Sequence, residues 1–232
     1  MTTGEWIVIA IFIVALLCSL SLFLWLRRII VRDRGRLAQA RNNRVDHQDK
    51  PGTVPLVQIT EQTLPVHIHM AYATPHNLAG RQVYADSLCA LRPEALACLD
   101  RAAAAARRAG YTLKILDAWR PAAAQALFWE VCPDPRYVAD PARGSHHTRG
   151  VAVDVTLVDQ AGQDLDMGTG FDDMREQSHH DCDDVSQTAQ RHRYLLLGIM
   201  LQAGFESIPT EWWHYQLPNA TNWPLINEWP EP

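Results

Sequence analysis

The chain has 232 residues and a formal net charge of −5, from 21 lysines and arginines against 26 aspartates and glutamates. The negative charge lies after residue 50, where 13 basic and 22 acidic residues leave a net charge of −9. An acidic surface repels phosphates and therefore disfavours a nucleic-acid partner. The five cysteines include no Cys-x-x-Cys pair, so they match neither a structural zinc knot nor a disulfide scaffold.

The first predicted element is an apolar helix near the N-terminus. Residues 7–26 carry no charge, and a helix needs about 20 apolar residues to cross a bilayer. Trp6 and Trp25 lie where interfacial aromatic side chains anchor such helices. A cleaved signal peptide is the main alternative, but its basic N-terminal region is missing. We therefore expect a transmembrane anchor with a basic flank at residues 1–32.

A polar stretch with proline and glycine follows at residues 33–54 and predicts a linker. The remaining residues, 55–232, have the length of one domain. Their apolar patterns predict three helices, at 93–108, 122–131 and 187–203, and three strands, at 111–117, 151–158 and 211–217. Because helices and strands do not alternate regularly, the fold class predicted is α+β, with a central, largely antiparallel sheet flanked by helices.

The predicted strand at 151–158 carries the first half of a candidate metal site. It completes the motif Ser-x-His-x-x-Gly-x-Ala-x-Asp, in which Asp154 lies in an apolar run where an unpaired carboxylate is costly to bury. His147 precedes Asp154 by seven residues, which would place the two on opposite faces of a straight strand, but a turn or bulge at Gly150 removes this difficulty. A metal ion would offset the cost of burial. The alternative is an aspartate satisfied by backbone donors or by Arg149.

The predicted strand at 211–217 carries the second half, Glu-Trp-Trp-His from Glu211 to His214. A histidine among aromatic residues is often a packed core residue, which is the alternative interpretation. A carboxylate at the start of the aromatic run favours chemistry, because a base beside a metal can take the proton of a bound water. Two imidazoles and one carboxylate, with the fourth position left to water, are a usual ligand set of catalytic zinc. The two motifs together predict one zinc ion per chain.

The paired motifs resemble the signature of the zinc D-alanyl-D-alanine dipeptidases, which are relatives of the zinc D,D-carboxypeptidases and of the hedgehog-type zinc fold. The resemblance extends through Ala-Tyr-Ala-Thr at 71–74, Leu-Asp-Ala-Trp-Arg-Pro at 116–121, Met-Gly-Thr-Gly-Phe-Asp at 167–172 and Ser-His-His at 178–180. It covers about residues 65–220.

The resemblance implies a role for eight residues. It implies that zinc is bound by His147, Asp154 and His214. It also implies that Glu211 is the catalytic base and that Arg120 stabilises the oxyanion. The two ends of the dipeptide, ammonium and carboxylate, would be held by Asp172 and Ser145, and Tyr72 would lie in the substrate pocket.

Each assignment has an alternative in the sequence alone. Arg120 would otherwise be a surface ion pair or a helix-start residue, Asp172 a solvated loop carboxylate and Ser145 a turn cap. Neighbouring imidazoles are rival ligands: His146 is expected to point away from His147 on an extended backbone, and the pair at 179–180 to lie in a solvated loop.

The function implied is hydrolysis of D-Ala-D-Ala to two D-alanines. A site that binds both charged ends of a dipeptide leaves no room for a longer chain, so an exodipeptidase is expected. One alternative is a zinc D,D-carboxypeptidase that trims peptidoglycan stem peptides. Another is a non-catalytic, zinc-stabilised binding module, which the presence of Glu211 and Arg120 disfavours because metal binding alone does not need them.

The charges beside the N-terminal helix predict its orientation. Five arginines follow it within ten residues, whereas only Glu5 precedes it. Positive flanks are typically cytoplasmic, so we expect a single-pass protein of the bacterial inner membrane with a cytoplasmic catalytic domain. A periplasmic domain is the alternative, because an enzyme of wall processing would work there. The sequence does not predict an oligomeric state.

Overall fold

A five-stranded mixed sheet organises residues 56–229, the part of the chain that this computed structural model describes. Three helices accompany it: α1 (Pro93–Arg108), α2 (Ala122–Val131) and α3 (Gln187–Ala203). The strands are β1 (Val57–Gln58), β2 (His67–Ile68), β3 (Ala90–Leu91), β4 (Thr112–Asp117), β5 (Ala152–Val158), β6 (Glu206–Ile208) and β7 (Glu211–Gln216). The predicted bounds of all three helices are confirmed, and those of the three longer strands are confirmed to within one residue at either end.

The main sheet has the strand order β2-β4-β5-β7-β6. Strands β2 and β4 are parallel, and the other three pairings are antiparallel. Strands β1 and β3 form a separate antiparallel pair. Every residue of β5 is buried, as expected of a β-branched strand with a neighbour on each side. Residues on β5 are therefore held on both edges by backbone hydrogen bonds.

Helices α1 and α3 pack against each other and against the sheet. Helix α1 contacts β4, and α3 contacts β6 and β7. The face that α1 buries is rich in alanine, which lets the two helices approach closely. Helix α3 begins at Ser186, whose side chain accepts a hydrogen bond from the Ala189 backbone, and ends at Gly204, whose φ of 105° suits glycine.

The structure corrects the predicted fold class and the predicted localisation where each includes a membrane-spanning helix. Within residues 56–229, no helix has both the length and the apolar character needed to span a bilayer. Helices α1 and α3 have only 16 and 17 residues and carry arginines. The transmembrane helix, the membrane as a partner and the inner-membrane location are therefore withdrawn, while an α+β domain with a mixed sheet is consistent with the structure. The segment at 7–26 and the linker at 33–54 lie outside the described residues.

Candidate metal and catalytic site

Two of the predicted ligands lie on adjacent strands in direct register. Asp154 of β5 and His214 of β7 are cross-strand partners, so their side chains lie on the same face of the sheet. His214 Nδ1 is 3.1 Å from Asp154 Oδ1. Both side chains are buried. The sheet therefore fixes this pair without help from a loop.

The third predicted ligand, His147, reaches the same point from the turn that precedes β5. Gly150 closes this turn with a φ of 70°, and its backbone N–H donates to the His147 carbonyl over 2.8 Å. A side chain at Gly150 would also collide with Leu56, because a Cβ there would lie 2.8 Å from the Leu56 Cδ2 atom. The predicted turn at Gly150 is confirmed. It places His147 Nε2 3.3 Å from Asp154 Oδ1 and 3.1 Å from His214 Nδ1.

The geometry of these three side chains fits a divalent metal. Their ligand atoms are 3.1–3.3 Å apart, and ligand atoms about 2.0–2.1 Å from a tetrahedral zinc stand about 3.3 Å from one another. The ring nitrogens that face away from the cluster also have partners. His147 Nδ1 is 2.8 Å from the Ala118 carbonyl, and His214 Nε2 is 3.1 Å from Gln216 Oε1. Both partners are acceptors, so each far nitrogen carries the ring hydrogen. Two imidazole lone pairs and a carboxylate then converge, an arrangement that a cation stabilises.

The same cluster shifts the ionisation of Asp154. Burial on its own would raise the pKa of this carboxyl, but the adjacent imidazoles of His147 and His214, when protonated, hold it well below its usual range. A positive charge at this point therefore favours the carboxylate of Asp154, which is the form that a metal binds.

Glu211 lies beside this cluster at the first residue of β7 and is buried. Burial raises the pKa of the Glu211 carboxyl well above its ordinary value, and the charge of Asp154 raises it further, whereas His147 and Arg120 act in the opposite direction. A carboxyl with a raised pKa suits proton transfer near neutral pH. The arrangement provides a proton acceptor that is separate from the three ligands.

Arg120 follows β4 and is buried, so the alternative of an exposed surface ion pair is wrong. Its Nε and one terminal nitrogen donate to Asp117 Oδ2 over 3.0 and 2.8 Å, and its other terminal nitrogen donates to Gln125 Oε1 over 3.0 Å. The guanidinium also lies 3.8 Å from Asp154 Oδ2 and 5.1 Å from the centre of the Tyr72 ring. The sequence did not indicate a role for either partner. Asp117 lies in the motif Leu-Asp-Ala-Trp-Arg-Pro, and Gln125 is an ordinary polar residue of α2.

Asp172 is also held in place, which excludes the solvated-loop alternative. Its carboxylate accepts hydrogen bonds from the Tyr72 hydroxyl over 2.8 Å and from the Leu78 backbone over 2.9 Å. Its φ of 60° is unusual for a residue other than glycine, and such strain is concentrated at functional sites. Burial raises the pKa of Asp172 to about 6.

Ser145 contacts the backbone of the turn and also faces the cavity. Its hydroxyl accepts a hydrogen bond from the His147 backbone over 3.2 Å, as the turn-cap alternative requires. It also lines the cavity beside the ligand cluster. That cavity has a volume of about 210 Å³, and all eight predicted residues line it: Tyr72, Arg120, Ser145, His147, Asp154, Asp172, Glu211 and His214. The structure thus brings together the eight side chains to which the resemblance assigns a role.

Comparison with known proteins identifies the family. Residues 52–230 match the family model described as the D-Ala-D-Ala dipeptidases, peptidase family M15. The chain is 43% identical over 174 residues to the D-alanyl-D-alanine dipeptidase of Escherichia coli K12, a match that covers 75% of this chain and 90% of that protein. The chain belongs to the D-Ala-D-Ala dipeptidase family. The resemblance stated from the motifs is therefore confirmed, as is the enzyme class, a peptidase and hence a hydrolase.

More distant members of the family give the same result. The chain is 32% identical to the D-alanyl-D-alanine dipeptidase of Enterococcus faecalis, over 63% of this chain and 83% of that protein. It is 36% identical to that of Streptomyces coelicolor, over 60% of this chain and 75% of that protein.

The three other candidate histidines, His146, His179 and His180, lie outside the ligand cluster. His179 Nε2 is 3.2 Å from the Tyr137 hydroxyl, and His180 is packed near Tyr215. His146 lines the cavity instead of pointing away from His147, because the backbone there is a turn and not extended. Among residues 56–229, one group of three histidine, cysteine, aspartate or glutamate side chains has ligand atoms within 4.8 Å of one another. It is the predicted group.

Removing any one predicted ligand is expected to empty the metal site. His147→Ala, Asp154→Ala or His214→Ala leaves two protein ligands, and bound zinc should fall from about one per chain to nearly none. Mass spectrometry of metals after gel filtration measures this. His179→Ala and His180→Ala are the matched controls and should keep the metal. Loss of zinc in the controls, with retention in the other three variants, would show that the ligand set is wrong.

Proposed function

We propose that this protein is a zinc-dependent exopeptidase that hydrolyses free D-Ala-D-Ala to two D-alanines. One observation supports this most: a three-ligand cluster, a buried carboxyl and a buried guanidinium line the same cavity of about 210 Å³. The relatives named above are D-alanyl-D-alanine dipeptidases, and the preference for D-residues is proposed from them.

Zinc is the metal proposed, because two imidazoles, one carboxylate and an open fourth position are typical of catalytic zinc. His147, Asp154 and His214 would hold it. When bound, zinc supplies a water acidified toward neutral pH and polarises the scissile carbonyl.

Glu211 and Arg120 are proposed to carry out the remaining chemistry. The Glu211 carboxylate takes the proton of the attacking water and later delivers it to the leaving amine. Arg120 donates hydrogen bonds to the substrate oxygen that gains charge in the transition state. Asp117 and Gln125 hold the guanidinium in place before substrate arrives, so no free energy is spent on orienting it during the reaction.

The substrate is proposed to be a free dipeptide because both of its charged ends have a partner. Asp172 faces the ammonium, and its two hydrogen bonds, from Tyr72 and Leu78, fix the carboxylate from behind. The Ser145 hydroxyl is the proposed donor to the substrate carboxylate. A peptide that continues beyond either end would place an uncharged amide against one of these groups. Where that group is Asp172, its desolvated carboxylate would be left without an ion pair.

A comparison of two substrates tests the proposal against a D,D-carboxypeptidase. The whole protein is incubated with free D-Ala-D-Ala and, separately, with an N-acylated stem peptide that ends in D-Ala-D-Ala, and released D-alanine is measured. We expect hydrolysis of the free dipeptide alone, its loss on chelation and its recovery on adding zinc. Preference for the acylated peptide would overturn the dipeptidase assignment. Tight zinc binding without hydrolysis of either substrate would favour the non-catalytic module.

A further inference from the structure

Gln216, the last residue of β7, contacts two histidines through a single side-chain oxygen. Its Oε1 atom is 3.1 Å from Nε2 of His214 and 2.5 Å from Nδ1 of His146. Neither contact belongs to the motifs found in the sequence, and the proposed chemistry assigns Gln216 no step.

The contact with His214 fixes which ring nitrogen carries the hydrogen. A neutral imidazole has one donor nitrogen and one acceptor nitrogen, and a carbonyl oxygen can only accept. Nε2 must therefore be the donor to Gln216. Nδ1, which lies 3.1 Å from both Asp154 Oδ1 and His147 Nε2, then has its lone pair directed into the cluster. A histidine that binds a metal usually has an acceptor of this kind behind it.

The contact with His146 bears on the orientation of the amide itself. A glutamine amide can present either its oxygen or its NH₂ group to a neighbour. When a metal takes the Nδ1 lone pair of His214, the ring hydrogen is on Nε2, and the NH₂ group would oppose it. With Nδ1 as the protonated ring nitrogen of His146, the amide oxygen receives a second hydrogen bond and the flipped amide loses both. The two histidines therefore select the same rotamer of Gln216.

We propose that Gln216 is a positioning residue of the metal site, which sets the tautomer and the ring orientation of His214, and that His146 holds Gln216 in the required rotamer. The inference rests on the proposed function only in that the cluster binds zinc. The backbone of Gln216 is paired with Ala152 on one side and with Glu206 on the other, so the strand is held independently of the side chain. Changes to the side chain consequently address the metal site without removing the strand pairing.

Zinc affinity tests this inference directly. The whole protein is stripped of metal, and its dissociation constant for zinc is measured by competition with a chromophoric chelator. Gln216→Leu removes the acceptor and should weaken zinc binding about 10- to 100-fold, the usual effect of losing such a partner. Gln216→Glu keeps an acceptor and should bind zinc at least as tightly as the parent. Gln202→Leu, at an exposed position of α3, is the matched control and should leave the affinity unchanged.

The outcome does not depend on turnover. A parent protein that binds zinc but does not hydrolyse D-Ala-D-Ala would overturn the proposed function and leave this inference standing. Parental zinc affinity in Gln216→Leu would overturn the inference. So would equal weakening in the leucine and glutamate variants, since glutamate keeps the acceptor and the zinc site would then not depend on it. Circular dichroism of the metal-free proteins checks folding, and Gln216→Ala, which introduces no bulk, replaces the leucine variant if that variant does not fold.

Discussion

Glu211→Gln is expected to lower kcat for D-Ala-D-Ala about 10²- to 10⁴-fold while one zinc per chain remains bound. Glutamine has the shape of glutamate but cannot take a proton from the attacking water. The three atoms of the ligand cluster come from other residues, so metal binding has no need of Glu211. Released D-alanine and metal content are measured on the same preparation, which separates loss of chemistry from loss of zinc.

Glu206→Gln is the matched control for this variant. Glu206 lies on the neighbouring strand β6, is exposed, and should give parental kcat and zinc content. Parental turnover in Glu211→Gln would mean that another group takes the proton. Loss of zinc from Glu211→Gln would show instead that this carboxylate is a metal ligand.

Asp172→Asn is expected to damage substrate binding and to stabilise the fold at pH 7. The ammonium of the dipeptide loses its charged partner, which costs about 2–5 kcal/mol and lowers kcat/KM at least 30-fold, mainly through KM. Asparagine tolerates the φ of 60° at this position, and its amide can accept from the Leu78 backbone while donating to the Tyr72 hydroxyl. The backbone conformation should therefore survive the change.

The gain in stability follows from the raised pKa of Asp172. Burial raises this pKa from 3.8 to about 6, so the folded state favours the neutral carboxyl, and that contribution to stability is lost as the pH rises from about 4 to 6. Asparagine is neutral throughout. The variant should therefore exceed the parent in free energy of unfolding by about 1–3 kcal/mol at pH 7, and by almost nothing below pH 4. Urea unfolding at both pH values measures this difference.

The parent protein should show the same titration in its kinetics. Its KM for D-Ala-D-Ala should rise as the pH falls through about 6, because a neutral Asp172 no longer attracts the ammonium. Asp173→Asn is the control. That carboxylate is paired with the exposed Arg175, so its replacement should leave KM unchanged and alter the free energy of unfolding by no more than about 0.5 kcal/mol. Equal stability of Asp172→Asn and parent at pH 7 would contradict the argument.

The sequence was most informative where a pattern runs over many residues. The helix at Pro93–Arg108 has proline at its start and arginines at its end, and the strand at Ala152–Val158 is rich in β-branched residues, so the sequence predicts both with near-correct bounds. Strands β1, β2, β3 and β6 have two or three residues each and carry no periodic signal. They form because neighbouring strands offer free backbone groups. The parallel pairing of β2 with β4 likewise depends on contacts between distant segments.

The candidate site likewise contains residues that the sequence predicts and residues that it does not. Residues with unusual chemistry in an apolar run, such as Asp154 and Glu211, could be singled out from the sequence. Their supporting partners could not, because Gln125 and Gln216 are ordinary polar residues whose importance comes from what tertiary structure places beside them. The expectation for His146 was wrong for a related reason: it assumed an extended backbone, and the turn closed by Gly150 redirects the ring.

If the cluster holds zinc as proposed, the cross-strand pairing of Asp154 with His214 makes metal content a measure of correct assembly. These residues are 60 positions apart in the chain, and a slip of β7 by a single residue would turn the His214 ring to the opposite side of the sheet. Misaligned chains would then lack a complete ligand set, however native their helices. The zinc content per chain of a folded sample would thus give the fraction of molecules in which β5 and β7 are paired in the correct register.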